Sequence, residues 1–526
     1  MTIRTLPVRL AVFLCSLFGS AALLAHGAER HSFKLVNGLW FDGRAFVPRT
    51  VFTVDGVFRD AYDGKVEATL DLSGKWVVPP FGDAHDHALG GGPDPEGQVR
   101  AFLAQGVFYL KNPNELPRLA APFRAIVNQP RSIDVAYANG GLTSSGGHPV
   151  PLYETLAEKG ALAGVSKAEL DGQAFFVVND ARQLDEKWPA VQQGKPDFIK
   201  VYLEHSEAGA KRHGLDPALV PEIVKRAHAA SLRVTAHART AADFRAAVAG
   251  GVDELAHLPL ARLTEEDARA AAAAKVAVVT TTLSHWDKEG LSDAEANDIH
   301  RANLALLSRA GVPIAFGVDG HAPVLAEVEN VRRLGVFDDA TLLKMLTETT
   351  PRAIFPSRKI GSLAAGFEAS FLALDGDPLK DFSALHRISM RMKQGYVLRL
   401  ATSVADPVGE AVRGGGPTAA AKRYRELKAD PADRWDFSEP ELNRLGYALL
   451  KEGKAREAVA VFELNAEAYP SSPNAFDSLS DARLAAGDRE GARAAAGKVL
   501  ELLPKVHGIP DGFRKSLEES ARKKLE

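Results

Sequence analysis

Between Val77 and about Arg352, short apolar runs alternate with helical patterns, and the alternation repeats eight times. The runs are Val77–Ala84, Gly106–Leu110, Asp134–Ala138, Phe198–Leu203, Arg233–Ala236, Glu254–Ala256, Val276–Thr282 and Pro313–Val318. Helical stretches such as DPALVPEIVKRAHAAS and TAADFRAAVAGG lie between most of them. Strand–helix alternation on this scale constrains the fold more than any other feature of the chain. It predicts an α/β protein built on a (β/α)8 TIM barrel, residues 79–352.

Strand texture flanks this block on both sides. FKLVNGLW, TVFTVDGV and ATLDLSG precede it, punctuated by Asn-Gly and Asp-Gly turns, and IGSLAAGFEASFLALDGDP and RISMRMKQGYVLRL follow it. The two pieces predict one small composite β-sandwich domain from residues 29–78 and 353–402. A loose Gly- and Pro-containing stretch, Val404–Pro417, then leads to a capping helix near Thr418–Lys428, so residues 403–434 read as linker and cap. The remainder, 435–526, is all-α and repeats. Leu445 and Leu479, Gly453 and Gly487, Ala458 and Ala492, and Pro470 and Pro504 are each 34 residues apart. That is the tetratricopeptide period. Two such units bury little surface alone, so they are expected to dock on the rest of the chain or to bind a protein partner.

At the other end, Arg4 and Arg9 precede the apolar run Leu10–Leu24, and small residues follow at Ala25–Ala28. This predicts a signal peptide over residues 1–28 and an exported protein, periplasmic or secreted. The run is shorter than the roughly 20 residues that span a bilayer, and no second one follows, so no stable membrane insertion is expected after cleavage. Cys15, the single cysteine, lies inside the leader, which leaves only nitrogen and oxygen side chains to hold a metal. A formal charge of −3 gives no reason to expect nucleic acid as a partner.

Residues i and i+2 of a strand face the same way, so His85 and His87 in VVPPFGDAHDHALG would both point into the barrel mouth. Other histidines fall at matching places. His148 follows the third strand, His205 the fourth, His285 the seventh and His321 the eighth, while His237 and His257 close the fifth and sixth. Eight of the fifteen histidines thus sit at carboxyl ends of expected strands, the face where barrels keep their active sites. Lys200, in PDFIKVYLE, shares a strand face with Phe198 and Tyr202, a costly place for an ammonium unless something compensates it. Asp319 ends the eighth strand in PIAFGVDGH.

The order HxH, Lys, His, His, Asp at successive strand ends resembles the amidohydrolase superfamily, and more narrowly its imidazolonepropionase-like and prolidase-like members with a two-metal centre. The resemblance runs through WVVPPFGDAHDH, DFIKVYLEHS, LRVTAHART, GVDELAHLPL, IAFGVDGH and IGSLAAGFEASFLALDGDPL. It departs at Pro80, Val318 and Ser370, none of them a ligand. The resemblance implies two divalent ions, zinc by default. His85 and His87 would hold one, His237 and His257 the other, and a carboxylated Lys200 would bridge them. Asp319 would be both a ligand and the catalytic proton carrier. It further implies that a metal-bridging hydroxide hydrolyses a carbon–nitrogen bond (amide, cyclic amide or dipeptide) in a small-molecule or short-peptide substrate. His148, Tyr202, His205, Arg239 and His321 are the candidate substrate contacts. Two other readings stay open: the same centre acting on lactones or phosphoesters, and a catalytically inactive barrel that displays the repeats for protein binding.

Overall fold

The computed structural model describes residues 32–526 apart from 93, 161, 163–164, 205–212, 285–289, 321, 431–434 and 507–510. The expected leader, with Cys15, and His205, His285 and His321 therefore lie outside the described residues.

Each of the eight apolar runs coincides wholly or in part with a strand: Phe81–Asp83, Val107–Asn112, Asp134–Tyr137, Ile199–Tyr202, Val234–His237, Glu254–Ala256, Ala277–Val279 and Ile314–Ala315. All pair in parallel. The first three form one sheet. The other five belong to a seven-stranded sheet that also takes in Gly141–Thr143 and Phe175–Val177. Those two strands, three residues each, interrupt the expected one-to-one alternation. Their brevity and the adjoining Gly140–Gly141 pair make them read as loop. Gly141 is required there: a Cβ would lie 2.5 Å from the Tyr202 ring and 3.0 Å from Lys200 Cγ. Backbone bonds also link the two sheets. Ala84 N–H donates to Phe316 C=O at 2.8 Å, and Val318 and Asp319 N–H both donate to His85 C=O, at 3.0 and 2.7 Å. On the other side Asp197 N–H donates to Tyr137 C=O at 2.8 Å.

The strand-rich flanks do fold together. Trp76–Val78 pairs antiparallel with Phe371–Leu374, which joins strands from both flanks in one eight-stranded mixed sheet. The expected sandwich is thus a single hydrogen-bonded sheet. Its branch point is Phe33–Phe41, which pairs with Ala68–Asp71 along its first half and with Trp76–Val78 along its second. Trp40, Phe58, Leu72, Phe371 and Met392 form its separate apolar cluster. A buried ion pair ties this sheet to the parallel strands: Lys393 Nζ and Arg358 Nη1 donate to the two Asp134 carboxylate oxygens, at 2.8 and 2.9 Å.

The tail consists of helices Ala405–Lys428, Glu439–Lys451, Ala455–Ala468, Pro473–Ala485, Arg489–Leu502 and Asp511–Leu525. The stretch Val404–Pro417 is not loose but largely helical, broken only at Gly416 with φ +71°. Its apolar residues explain this: Ala405, Val408 and Val412 recur at helical spacing and are buried in the tail's own cluster, a pattern the glycine run obscures. Among the described residues no helix is long and apolar enough to cross a membrane.

Candidate metal centre

Each ligand candidate ends a strand whose neighbours set its direction. His85 is tied through its own carbonyl to Val318 and Asp319, and its N–H donates to Asp83 Oδ1 at 3.1 Å. Strand Phe81–Asp83 therefore hands His85 and His87 directly to Asp319. The Asp319 Oδ1 atom lies 3.5 Å from His85 Nε2 and 3.3 Å from His87 Nε2. One ligand atom from each of these three residues falls within 4.8 Å of the others. His257 ends the Glu254–Ala256 strand with φ +77°, Thr281 follows the next strand with φ +46°, and Asp319 follows the last with φ +59°. Three non-glycine residues in the left-handed region at successive strand ends are a local cost that turns side chains toward one place.

His237 and His257 meet beside this trio. His257 Nε2 lies 2.9 Å from His237 Nδ1, and the His85 and His257 ring centroids are 4.7 Å apart. Lys200, 1% exposed, lies on the adjacent strand with its Nζ 5.2 Å from the Tyr202 ring centroid. The structure thus groups His85, His87 and Asp319, sets His237 and His257 against them through the His85 ring, and places Lys200 near enough for its charge to act on His85, His237 and His257. Of the described substrate candidates, His148 lies with its ring 5.0 Å from that of His237 and 5.2 Å from that of Tyr202. Arg239 follows two residues after His237 and donates to Ser284 C=O at 3.4 Å.

The donor set fits divalent metal. Two nitrogens on one tetrahedral zinc at about 2.05 Å sit roughly 3.3 Å apart. The His85–Asp319 and His87–Asp319 separations match that edge, and the His237–His257 pair would need to open by only a few tenths of an ångström. Protonation states of His237, His257 and Asp319 fit as well. At His87 burial lowers the imidazole pKa, but the Asp319 carboxylate more than offsets this and raises it, and a metal would displace that proton. Burial, then the neighbouring imidazoles, holds His237 and His257 well below the usual histidine range, so both are neutral. Burial works against the Asp319 anion, but hydrogen bonds from His85 and His87 outweigh it and hold the carboxyl well below its usual range. Neutral imidazole and ionised carboxylate are the forms that ligate. Outer partners set the rings: His87 Nδ1 meets Asn114 C=O at 3.2 Å, leaving Nε2 for the site, and His257 Nδ1 meets Thr281 Oγ1 at 2.8 Å. Finally, the buried Lys200 Nζ and His237 Nε2 have no hydrogen-bond partner among the described residues. A buried amine without acceptors is costly and fits a side chain that carries a further group.

Sequence reasoning missed several residues here. Glu204 Oε2 lies 3.3 Å from His148 Nδ1 and 3.8 Å from His237 Nε2. Lys111 is a second inward lysine, bonded to Thr235 Oγ1 at 2.8 Å and Glu254 Oε1 at 2.7 Å. The face-alternation argument used for Lys200 would have found it in VFYLKN. Glu327 is fully buried and accepts from Thr282 N–H (2.6 Å), Thr282 Oγ1–H (2.9 Å) and Leu283 N–H (3.1 Å), holding the loop that carries Thr281. Nothing local in the sequence marks Glu327, Asn114 or Thr281.

Solved structures share this arrangement of strands and helices. The ochratoxinase of A. niger superposes with a TM-score of 0.58 at 18% identity, over 70% of this chain and 95% of its own. A prolidase solved with N-methylphosphonate-L-proline does so with a TM-score of 0.56 at 20% identity, over 70% and 99%. The fold is thus similar to that of solved hydrolases, a crystal structure of an amidohydrolase among them (TM-score 0.54 at 21% identity, over 70% of this chain and 98% of its own). Residues 176–398 match the amidohydrolase family, a segment that holds Lys200, His237, His257 and Asp319 but not the HxH strand. Imidazolonepropionase from Halobacterium salinarum is 27% identical over 293 residues, which are 48% of this chain. The chain spans 63% of that relative's length.

Proposed function

We propose that this chain is a metal-dependent hydrolase that cleaves a carbon–nitrogen bond in a small amide, cyclic amide or dipeptide. One observation carries the reading: His85 and His87 converge on Asp319, at 3.5 and 3.3 Å, beside a neutral His237–His257 pair and a buried Lys200 whose Nζ has no hydrogen-bond partner among the described residues. Imidazolonepropionase and prolidase among its relatives support carbon–nitrogen cleavage as the bond class.

His85, His87 and Asp319 would hold one divalent ion and His237 and His257 the other, with zinc favoured by the nitrogen and oxygen donors. When bound, such ions polarise a carbonyl and lower the pKa of water from 15.7 toward about 7. Burial brings the Lys200 amine down to about 7, so much of it is neutral at neutral pH and nucleophilic toward carbon dioxide. Forming the N–C bond with loss of one N–H proton gives an anionic carbamate, which supplies oxygen donors where an ammonium has none. Asp319 Oδ1, between His85 and His87, accepts a proton from the attacking water and returns it to the leaving nitrogen. His148, Tyr202 and Arg239 orient the substrate.

The wider reading is that the eight principal strands make a (β/α)8 barrel with this centre at its carboxyl rim. The tail helices are tetratricopeptide-like, with Gly446 against the Phe462 ring at a helix contact where a Cβ would lie 2.4 Å from the ring. The protein is exported. Metal analysis of the purified protein, followed by turnover of a panel of dipeptides, N-acyl amino acids, cyclic amides, lactones and phosphotriesters, tests the proposal. About two metals per chain and cleavage of a carbon–nitrogen bond are expected. Turnover of esters alone refutes the bond class, and a metal-free inert protein would make the barrel a scaffold.

A further inference from the structure

Asn114 is bonded through its whole carboxamide and through both of its backbone groups. Its Nδ2 donates to Tyr153 Oη at 2.7 Å and to Ala174 C=O at 3.0 Å, and its Oδ1 accepts from Gly141 N–H at 2.9 Å. Only this orientation of the amide serves both a carbonyl and an N–H donor. Its own N–H donates to Asn112 Oδ1 at 3.1 Å, and Asn112 Nδ2 donates to Ala88 C=O at 2.9 Å, one residue beyond His87. The Asn114 carbonyl meets His87 Nδ1 at 3.2 Å, and the Tyr153 hydroxyl donates to that same oxygen at 3.4 Å. The residue is 3% exposed, so water does not replace a partner that is lost.

Tyr153 belongs to a small lobe with a core of its own. Strands Gly141–Thr143 and Phe175–Val177 pair in parallel, and Val150, at the start of helix Val150–Glu158, clusters with Leu116, Leu170, Ala174 and Phe175 apart from the main core. His148 stands just ahead of that helix. Thr143 Oγ1 donates to His148 C=O at 2.7 Å, and Tyr153 N–H donates to Pro149 C=O at 3.1 Å. The lobe that lays the His148 ring against His237 and Tyr202 is thus bonded to Asn114 at three points, and Asn114 is bonded to His87.

We infer that Asn114 and Tyr153 are positioning residues that couple the lobe carrying His148 to the ring of His87. Order in the lobe and metal affinity at His85, His87 and Asp319 then rise and fall together. This deepens the proposed function and rests on it for the metal. To offer Nε2, the His87 ring must keep its proton on Nδ1, and a carbonyl directs that proton only as well as its own residue is held. Tyr153→Phe keeps the ring that packs edge-on to Phe175 and removes a single oxygen. A buried Nδ2 donor of Asn114 is then unserved, the carbonyl loses its second donor, and His87 loses direction.

The test places Tyr153→Phe and Asn114→Ala in two backgrounds, with melting temperatures checked. In His237→Ala protein only the His85–His87–Asp319 site is left, and chelator competition should show zinc affinity falling about 10–100-fold, the range for partners that orient a ligand. In His87→Ala protein, where the His237–His257 pair is left, the same substitutions should leave zinc affinity as it is. Zinc should also slow amide exchange over residues 141–143 and 150–158 of the wild type, and much less in Tyr153→Phe. Unchanged affinity in the first background, or equal losses in both, overturns the inference. A wild type that holds no zinc defeats the proposed function separately. The junction is then read from the imidazole 15N resonances of neutral His87 in the metal-free protein, assigned by their loss in His87→Ala. Wild type should show the Nδ1–H form and Tyr153→Phe a mixture, and identical ring spectra overturn the coupling.

Discussion

Glu327 offers the sharpest perturbation, because one buried carboxylate secures a loop that the metal centre needs. In Glu327→Ala, the Thr282 and Leu283 N–H groups and the Thr282 hydroxyl lose their acceptor. The hydroxyl can turn, and it already accepts from Asn330 Nδ2 at 2.9 Å, so the two backbone donors dominate the cost. Each orphaned buried donor costs about 1–3 kcal/mol, for a gross loss of roughly 2–6 kcal/mol. Burial raises the Glu327 pKa, so removing the carboxyl returns part of that, and a net loss of about 2–4 kcal/mol is expected. Glu327→Gln should fall between, because one oxygen still serves Thr282 while the amide nitrogen faces the Leu283 N–H. Since Thr281 Oγ1 fixes the His257 ring, metal affinity should drop about 10–100-fold in the alanine variant. Denaturant unfolding of the metal-free protein measures the first effect and competition with a chelator the second. Wild-type stability in Glu327→Ala would refute the clamp. Lost stability with unchanged metal affinity would show that the clamp holds the loop without positioning His257.

Lys200→Ala should lose paired metal occupancy and recover it in part with short carboxylic acids, as read by metal stoichiometry; full pairing without such additives would remove the lysine from the centre. Asp319→Asn should abolish the proposed turnover while most metal stays bound, and normal rates would discharge Asp319 as proton carrier. His300, neutral and buried, has its pKa lowered from 6.5 to about 4. The unfolded chain therefore binds its proton first, and stability present above pH 6.5 should be lost as pH falls toward 4, by at most about 3 kcal/mol. His300→Leu should flatten that slope in unfolding titrations between pH 6.5 and 4, and an unaltered slope would contradict it.

Much of the site was legible before any coordinates because strand alternation is a local rule. His85, His87, Lys200, His237, His257 and Asp319 could each be placed on a strand or at its end from neighbours a few residues away; the structure groups His85, His87 and Asp319, with the His257 ring against His85 and His237 against His257. The same local logic located the flanking strands and the 34-residue spacing of the tail. What it misjudged also has local causes. The helix through Val404–Pro417 was hidden by Gly414–Gly416, and the strands Gly141–Thr143 and Phe175–Val177 are too short to leave a pattern.

The amino-acid order alone determined which residue types could ligate and where each strand ends, since period and polarity are properties of a short window. Only tertiary structure decided what holds those ligands at working distance. Glu327 reaches the 282–283 backbone across 45 residues, Asn114 reaches His87 across 27, and Thr281 reaches His257 across 24. Such partners are chosen by proximity in space, and no spacing rule along the chain encodes a contact between loops that approach only once the sheets have formed.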